Sequence, residues 1–598
     1  MPPQLTAVGE VHTKRIKLEI LRAQLDNERS SFIPHWRDLS DHILPRRARF
    51  TLTDANKGDK RNQKIIDGTA TLSARSLRSG MMGGITSPAR PWFRLTTPDP
   101  KVSEFGPIKQ WLHEVSSRMR TVFLRSNIYN VLPIIYGDMG VFATGCMFME
   151  EDLDSVVRFY SFPIGSYMLA NDERLQVRIF FREFRMTVRQ LIKKYASFDK
   201  NGIPIWDNFS VTVRNQYENN HMETWIDVCH AIIPNENADP NRLDPRFKKF
   251  KSVYYEKGFM AGQSQTYIGD EDRDRVLRES GYDYFPVLAA RWEVTGEDAY
   301  GTQCPGMEAL GDIKQLQLMQ KRKAQIHEKH VNPPMTGPTE LKHTSAATLP
   351  GHITYFNARE GTQGFKPVYQ IDGNTAPILG DIQDVRLLIQ RAFYEDLFKL
   401  LILDPRRQPA TATEIKTREE EKLLLLGPVL EQLNQDVLDP LIDNTFDIMA
   451  KQGLIPEPPQ ELQGSELKVE YISIMAQAQK LIGIGGIERF SGFVGGIAAS
   501  VPDPGVVTKI LDKVDIDQMI DEYGDAISLP PTIIRSDDDV EAIRDNRQQA
   551  EQAAAAAEQA EKLAGTAKNL SQSDTGGENA LTDLVKQAEA GEFAQVRA

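Results

Sequence analysis

The stretch from Leu379 to Met449 constrains this chain most: two helix-forming segments flank a short break rich in proline and arginine. In the first segment apolar residues recur at Ile382, Val385, Leu388, Ile389, Ala392, Phe393, Leu397 and Leu400. That spacing of three and four predicts one helix from Gly380 to Leu400 with a single buried face. Asp381, Asp384, Arg386, Arg391, Glu395 and Asp396 fall opposite it. The break, Leu403 to Ala410, holds Pro405, Arg406, Arg407, Gln408 and Pro409. Thr411 and Glu414 then have capping-box spacing and open a second helix. Gly427-Pro428 is expected to kink it, because proline lacks the backbone donor and its ring clashes with the preceding turn. Apolar positions resume at Leu430, Leu433, Val437, Leu441 and Phe446. A helix, a tight charged loop and a long kinked helix make a mechanical arrangement, not a catalytic one.

Composition narrows the class. With 598 residues the chain has room for three or more domains, and 40% apolar with 26% charged residues is the balance of a soluble globular protein. No run approaches the roughly 18 apolar residues of a membrane helix. Met1-Pro2-Pro3-Gln4 lacks the basic and apolar regions of a secretion signal, so secretion is not expected. Cys146, Cys229 and Cys304 are far apart and odd in number; they form neither a disulfide framework nor a zinc-spaced set and fit a reducing compartment. A net charge of −12 argues against gripping DNA or anionic membrane over the whole surface, but not against letting DNA pass.

In chain order, Val11 to Ile43 reads as helix interrupted near Pro34, and Asp67 to Met82 as an amphipathic helix capped by Gly83-Gly84. Trp92 to Thr96 alternates like a strand. Ile108 to Leu124 and Asn127 to Met139 read as helices, and Val141 to Glu150 as a strand. From Val156 to about Tyr300 the pattern is α+β and aromatic-rich, with strands at Val157–Tyr160, Val177–Phe184, Thr224–Ile233 and Phe250–Glu256 and a helix at Val188–Tyr195. Pro305 sits at a helix N1 position, and the helix it opens runs about 36 Å to His330, where Asn332-Pro333-Pro334 stops it. A Gly/Pro/Thr-punctuated insert over 331–379 carries strand-like runs at His352–Asn357 and Phe365–Ile371. Two helices of similar length thus bracket a small β module, which predicts an antiparallel pair with the module at its tip. Past Met449 come a proline linker, an extended run at Leu467–Tyr471 and Gly-interrupted helices. Asp537-Asp538-Asp539 then opens an Ala/Gln/Glu tract of high helix propensity.

Catalytic signatures are sparse. There is no phosphate loop and no nucleophile elbow, and Gly483 to Gly486 lacks dinucleotide spacing and reads as a joint between helices. His327 and His330 stand three apart at a helix end, a solvated basic terminus and not a zinc helix. Asp537 to Asp539 complement a helix dipole. On the residues alone Arg406 and Arg407 read as an exposed turn.

Several stretches taken in order resemble the head-to-tail connector (portal) proteins of short-tailed, podovirus-type bacteriophages. They are Leu21-Arg22-Ala23-Gln24-Leu25 through Trp36-Arg37-Asp38-Leu39 to Leu44-Pro45-Arg46; Asp67-Gly68-Thr69-Ala70 to Pro91-Trp92-Phe93-Arg94-Leu95; Tyr300-Gly301 with Pro305-Gly306-Met307; and Ala410-Thr411-Ala412-Thr413-Glu414-Ile415. The similarity spans roughly 15 to 535. It implies a helix-dominated α+β portal fold without enzymatic activity or cofactor, assembled as a ring usually of twelve copies at one capsid vertex of the virion. The parts would be a wing (1–304), stem helices (305–330 and 380–402), a clip (331–379), a tunnel loop (403–410), a kinked helix (411–452), a crown (453–535) and an optional C-terminal barrel (536–598). Arg406, Arg407 and Gln408 would line the DNA channel. His352, Tyr355, Lys366 and Tyr369 would dock the packaging motor and later the tail adaptor, and Gly427 and Pro428 would form the kink. Implied partners are double-stranded DNA, terminase, tail adaptor, capsid and scaffolding proteins, with assembly in the host cytoplasm and no membrane. A non-portal virion or scaffold-type interaction protein is the alternative; a hydrolase would need a metal or carboxylate site that the sequence does not display.

Overall fold

The structure, a computed structural model, describes residues 14–50, 61–99, 102, 106–257, 275–336, 366–368, 376–402, 426–462, 467–472, 490–497, 500, 514–526 and 537–571. The chain forms two compact units, Met1–Pro98 with Gln110–Ser528, and Asp99–Lys109 with Leu529–Ala598.

Helices α1 (Lys14–Ser30) and α2 (Ile33–His42) break where expected, with Pro34 in the first turn of α2, where its missing N–H costs nothing. Helix α3 (Thr69–Gly84), strand β1 (Phe93–Thr96) and helix α4 (Gly106–Arg125) follow. Helix α5 (Ile128–Phe142) is apolar on nearly every side and buries an unbroken run from Ile135 to Phe142, as a core helix must. It runs further than its periodicity suggested. Ala143, in the left-handed region at φ 61°, then turns the chain into β2 (Thr144–Asp152).

Next come β3 (Val156–Phe162), β4 (Tyr167–Asn171), β5 (Val177–Thr187), α6 (Val188–Tyr195), α7 (Val211–Glu218), β6 (Trp225–Pro234), β7 (Phe250–Glu256), β8 (Arg278–Tyr282) and β9 (Val287–Arg291). They build two antiparallel sheets, ordered β3-β2-β9 and β4-β5-β6-β7-β8. In the five-stranded sheet Met168, Phe181, Cys229, Ala231, Val253 and Tyr255 share the face that receives Leu18 and Leu25 of α1. The opposite face meets the three-stranded sheet through aromatic rings, with Phe162 stacked on Phe180 at 5.7 Å and Phe148 edge-on to His230 at 6.0 Å. Helices α6 and α7 close one end of the larger sheet around Leu191, Phe209, Val213 and Val228. A capping box between Thr187 and Gln190 fixes the start of α6.

After β9 come α8 (Pro305–Glu308), α9 (Leu310–Val331), β10 (Met335–Thr336), β11 (Lys366–Pro367), α10 (Ala376–Ala392) and α11 (Glu395–Ile402). The single helix expected from Gly380 to Leu400 is therefore two. Tyr394, at φ 54°, breaks it, and the apolar face that reads as continuous in sequence is shared between two directions. Helix α12 (Gly427–Leu433) passes through a π turn (Asn434–Leu438) into α13 (Asp439–Lys451). Strand β12 (Lys468–Tyr471) pairs with β1, so the segment beyond the proline linker is sewn into the N-terminal body. Helix α14 (Ile516–Ala526) ends the described part of this unit. In the other unit the Ala/Gln tract forms α15 (Asp537–Ser571), whose side chains are exposed from Glu541 to Lys562.

Candidate functional site: a helix pair clamped to the N-terminal body

The two helices pack side by side as the sequence predicts; of the small β module between them the expected strand His352–Asn357 and most of Phe365–Ile371 lie outside the described residues. Helix α9, 22 residues and about 33 Å long, packs against α10. At their far end β10 and β11 pair antiparallel, Thr336 opposite Lys366 and Met335 opposite Pro367. The two helices therefore run in opposite directions with a clasp at the tip.

Midway along the pair, side chains of both helices meet at one carboxylate. Oδ1 of Asp67 accepts hydrogen bonds from the backbone N–H of Thr69 at 2.9 Å and its hydroxyl at 2.5 Å. Oδ2 accepts from Gln320 of α9 at 2.9 Å and from Nη2 and Nε of Arg386 of α10 at 2.7 and 3.1 Å. Gln317 completes the clamp: its Oε1 accepts the backbone N–H groups of Ile66 and Asp67, and its Nε2 donates to the Asp67 carbonyl. Burial works to raise the Asp67 carboxyl, but the hydrogen bonds from Thr69 and Arg386 outweigh it and hold the group below the usual carboxylate range. One buried anion thus sets the level of α9 relative to α10.

Helix α11 lies on α3. The Ser73 hydroxyl donates to Glu395 at 2.7 Å, and Phe398 sits directly over Gly80, where a Cβ would approach its ring to 2.1 Å. Only glycine admits that approach. The turn before α8 is equally close. The Gly301 N–H donates to Thr144 at 2.8 Å, a Cβ there would meet the Ala143 carbonyl at 2.1 Å, and the Tyr300 hydroxyl accepts from the Leu169 N–H at 3.0 Å. The Tyr300-Gly301 motif is a packing requirement: it seats the start of the helix pair on the end of the core helix.

Arg406, Arg407, Gln408, His352, Tyr355 and Tyr369 lie outside the described residues. Lys366 falls on β11 at the tip. Gly427 opens α12 with Pro428 beside it, and the part of the expected helix before them, 411–425, lies outside the described residues, so the kink is not tested. Beyond Pro428 the described part of the helix carries a π turn, which no residue pattern announced. His327 and His330 are exposed in the last turns of α9, and among the described residues no group of three His, Cys, Asp or Glu is placed to hold a metal ion. All three cysteines are buried and unbonded. No helix among the described residues is long and apolar enough to cross a membrane.

Comparison with known proteins finds relatives along nearly the whole chain. The chain is 46% identical over 584 residues to the portal protein of Salmonella phage epsilon15, covering 98% of this chain and all of that protein. It is 40% identical over 563 residues to the probable portal protein of Bordetella phage BPP-1, covering 94% of this chain and 96% of that one. Residues 15–534 match the family described as bacteriophage head to tail connecting protein. With that match spanning nearly the whole sequence, the chain belongs to the bacteriophage head-to-tail connecting protein family.

Proposed function

We propose that this chain is the portal of a tailed phage: copies close into a ring, most often of twelve, at one capsid vertex, and double-stranded DNA enters and leaves through the central hole. The observation that carries this is the match to portal proteins along the full chain, 46% identical over 98% of its length. In this reading the α9–α10 pair forms the stem that surrounds the channel, and the β10–β11 module is the clip that receives terminase and then the tail adaptor. The α+β body over 1–304 is the outer wing, and segments beyond 453 face the capsid interior.

The chemistry of a conduit favours a net acidic chain. Each phosphate held by a lysine or arginine adds to binding, and so to friction, when duplex must slide. A net charge of −12, with acidic residues outnumbering basic ones by 83 to 71, fits that need. Work for translocation then comes from a separate motor, and the portal supplies the channel and the docking surfaces.

The decisive measurement is the mass and image of the purified oligomer. A ring with an axial hole is expected; a monomer at all concentrations, or an assembly without an opening, overturns the reading. For the loop, Arg406→Ala with Arg407→Ala should lower genome packaging or retention while leaving ring formation intact. Unchanged packaging and retention would remove those two residues from the channel.

A further inference from the structure

The helix pair is buried on its inner sides and carries leucines on its outer ones. Leu318 of α9 is 47% exposed, and Leu387 and Leu388 of α10 are 48% and 49% exposed. On α9 the exposed stripe continues from Leu318 through Lys321 and Arg322 to Gln325, a spacing of three, four and seven that places them on one face. On α10 Asp381, Asp384 and Leu388 form a stripe of the same kind. Thus one outer face is apolar and basic from Leu318 to Gln325, with Glu328 beyond, and the other apolar and acidic from Asp381 to Leu388, with Arg391 beyond.

The levels of these residues match. Gln320 and Arg386 reach the same oxygen of Asp67, so position 320 of α9 lies level with position 386 of α10. Because the helices run oppositely, Leu318 is then level with Leu388, the Lys321–Arg322 pair with Asp384, and Gln325 with Asp381. Copies related by rotation about an axis along the helix pair keep these levels.

We infer that the basic face of α9 in one copy docks on the acidic face of α10 in the next, leucine against leucine and Lys321 and Arg322 against Asp384 and Asp381. The occupant is a second copy because the two faces are complementary to each other in charge, in apolar content and in height. Two different patches meeting in this way give a head-to-tail contact, which closes into a ring when the rotation divides the circle. This inference rests on the ring proposed above and names the surface that builds it.

Mass photometry of the full chain tests it. Lys321→Glu with Arg322→Glu makes both outer faces acidic; Asp381→Lys with Asp384→Lys makes both basic. Each variant alone should lose rings by about tenfold or more, through like charges brought together at every joint. An equimolar mixture of the two should restore rings of alternating copies, as should all four substitutions in one chain. Independently, Leu318→Cys with Leu388→Cys should give a ladder of disulfide-linked multimers on oxidation, since the native cysteines are buried. Rings that survive either reversal, a mixture and fourfold variant that stay unassembled, or rings of the cysteine variant without a ladder each overturn the interface while leaving the ring reading intact. A wild-type chain that never assembles overturns both.

Discussion

Arg291, at the end of β9, grips Asp436 in the π turn between α12 and α13 with two parallel hydrogen bonds, from Nε at 2.9 Å and Nη2 at 2.8 Å. Both side chains are almost fully buried, and Gln432 adds a third donor to the same carboxylate. A π turn carries one more residue than an α turn, which rotates the following side chains and aims Asp436 inward. The pair joins the smaller sheet to the α12–α13 segment.

Removing one partner leaves a buried charge alone. Asp436→Ala is expected to lower unfolding stability by about 3 to 5 kcal/mol, while Arg291→Met with Asp436→Leu recovers most of that loss. Urea unfolding of the two variants beside the parent checks both values; a double variant no better than the single one would refute the account.

Gly80→Ala should loosen α11 from α3. The new methyl group would overlap the Phe398 ring near its attachment, where the side chain has little room to swing, so a loss of about 1 to 3 kcal/mol is expected. Phe398→Leu in the same chain should return part of it. Hydrogen exchange localised to Glu395–Phe398 reads the detachment directly.

The Asp67 clamp predicts a pH dependence. Its folded carboxyl titrates below the unfolded value of about 3.9, so its contribution is fully present above that value and disappears as the pH falls through the folded one. The stability difference between the parent and Asp67→Asn should therefore stay constant from about pH 8 to 5 and shrink below about 4. Denaturation midpoints across that range measure it; a difference that grows on acidification would contradict the clamp.

Asp443 should behave with the opposite sign. Partial desolvation, then repulsion from Asp439 and Asp447 one turn away on either side, push its carboxyl up to about 6. Holding it ionised above that pH costs stability, so Asp443→Asn should stabilise the protein at pH 8, by less than about 1 kcal/mol given its exposure to solvent. The gain should vanish near the unfolded carboxylate value of about 4. Thermal midpoints of the two proteins at either end of that range decide it.

Sequence periodicity located the long elements because their packing is local. Helix α6, strand β7 and the paired α9 and α10 follow from apolar spacing and from the prolines at 305 and 333. What periodicity missed depends on distant partners. Strand β8, Arg278–Tyr282, has no apolar alternation and exists because β7 offers it an edge. The break at Tyr394 looks helical in sequence; its left-handed backbone accompanies the turn that carries α11 onto Gly80. Asp67 likewise reads as the first residue of a helix that in fact starts at Thr69, and nothing nearby reveals that Gln320 and Arg386 reach for it across 253 and 319 positions. The candidate site was therefore legible as two helices and a tip, but not as a clamp.

The ladder between β1 and β12 has a consequence for how such a chain comes into being. Phe93 faces Tyr471, and Arg94 bonds Glu470 across 376 positions. On a ribosome, β1 emerges long before its mate has been translated. The body's first strand must wait with an open edge until most of the polypeptide has left the ribosome, so the body cannot close ahead of synthesis.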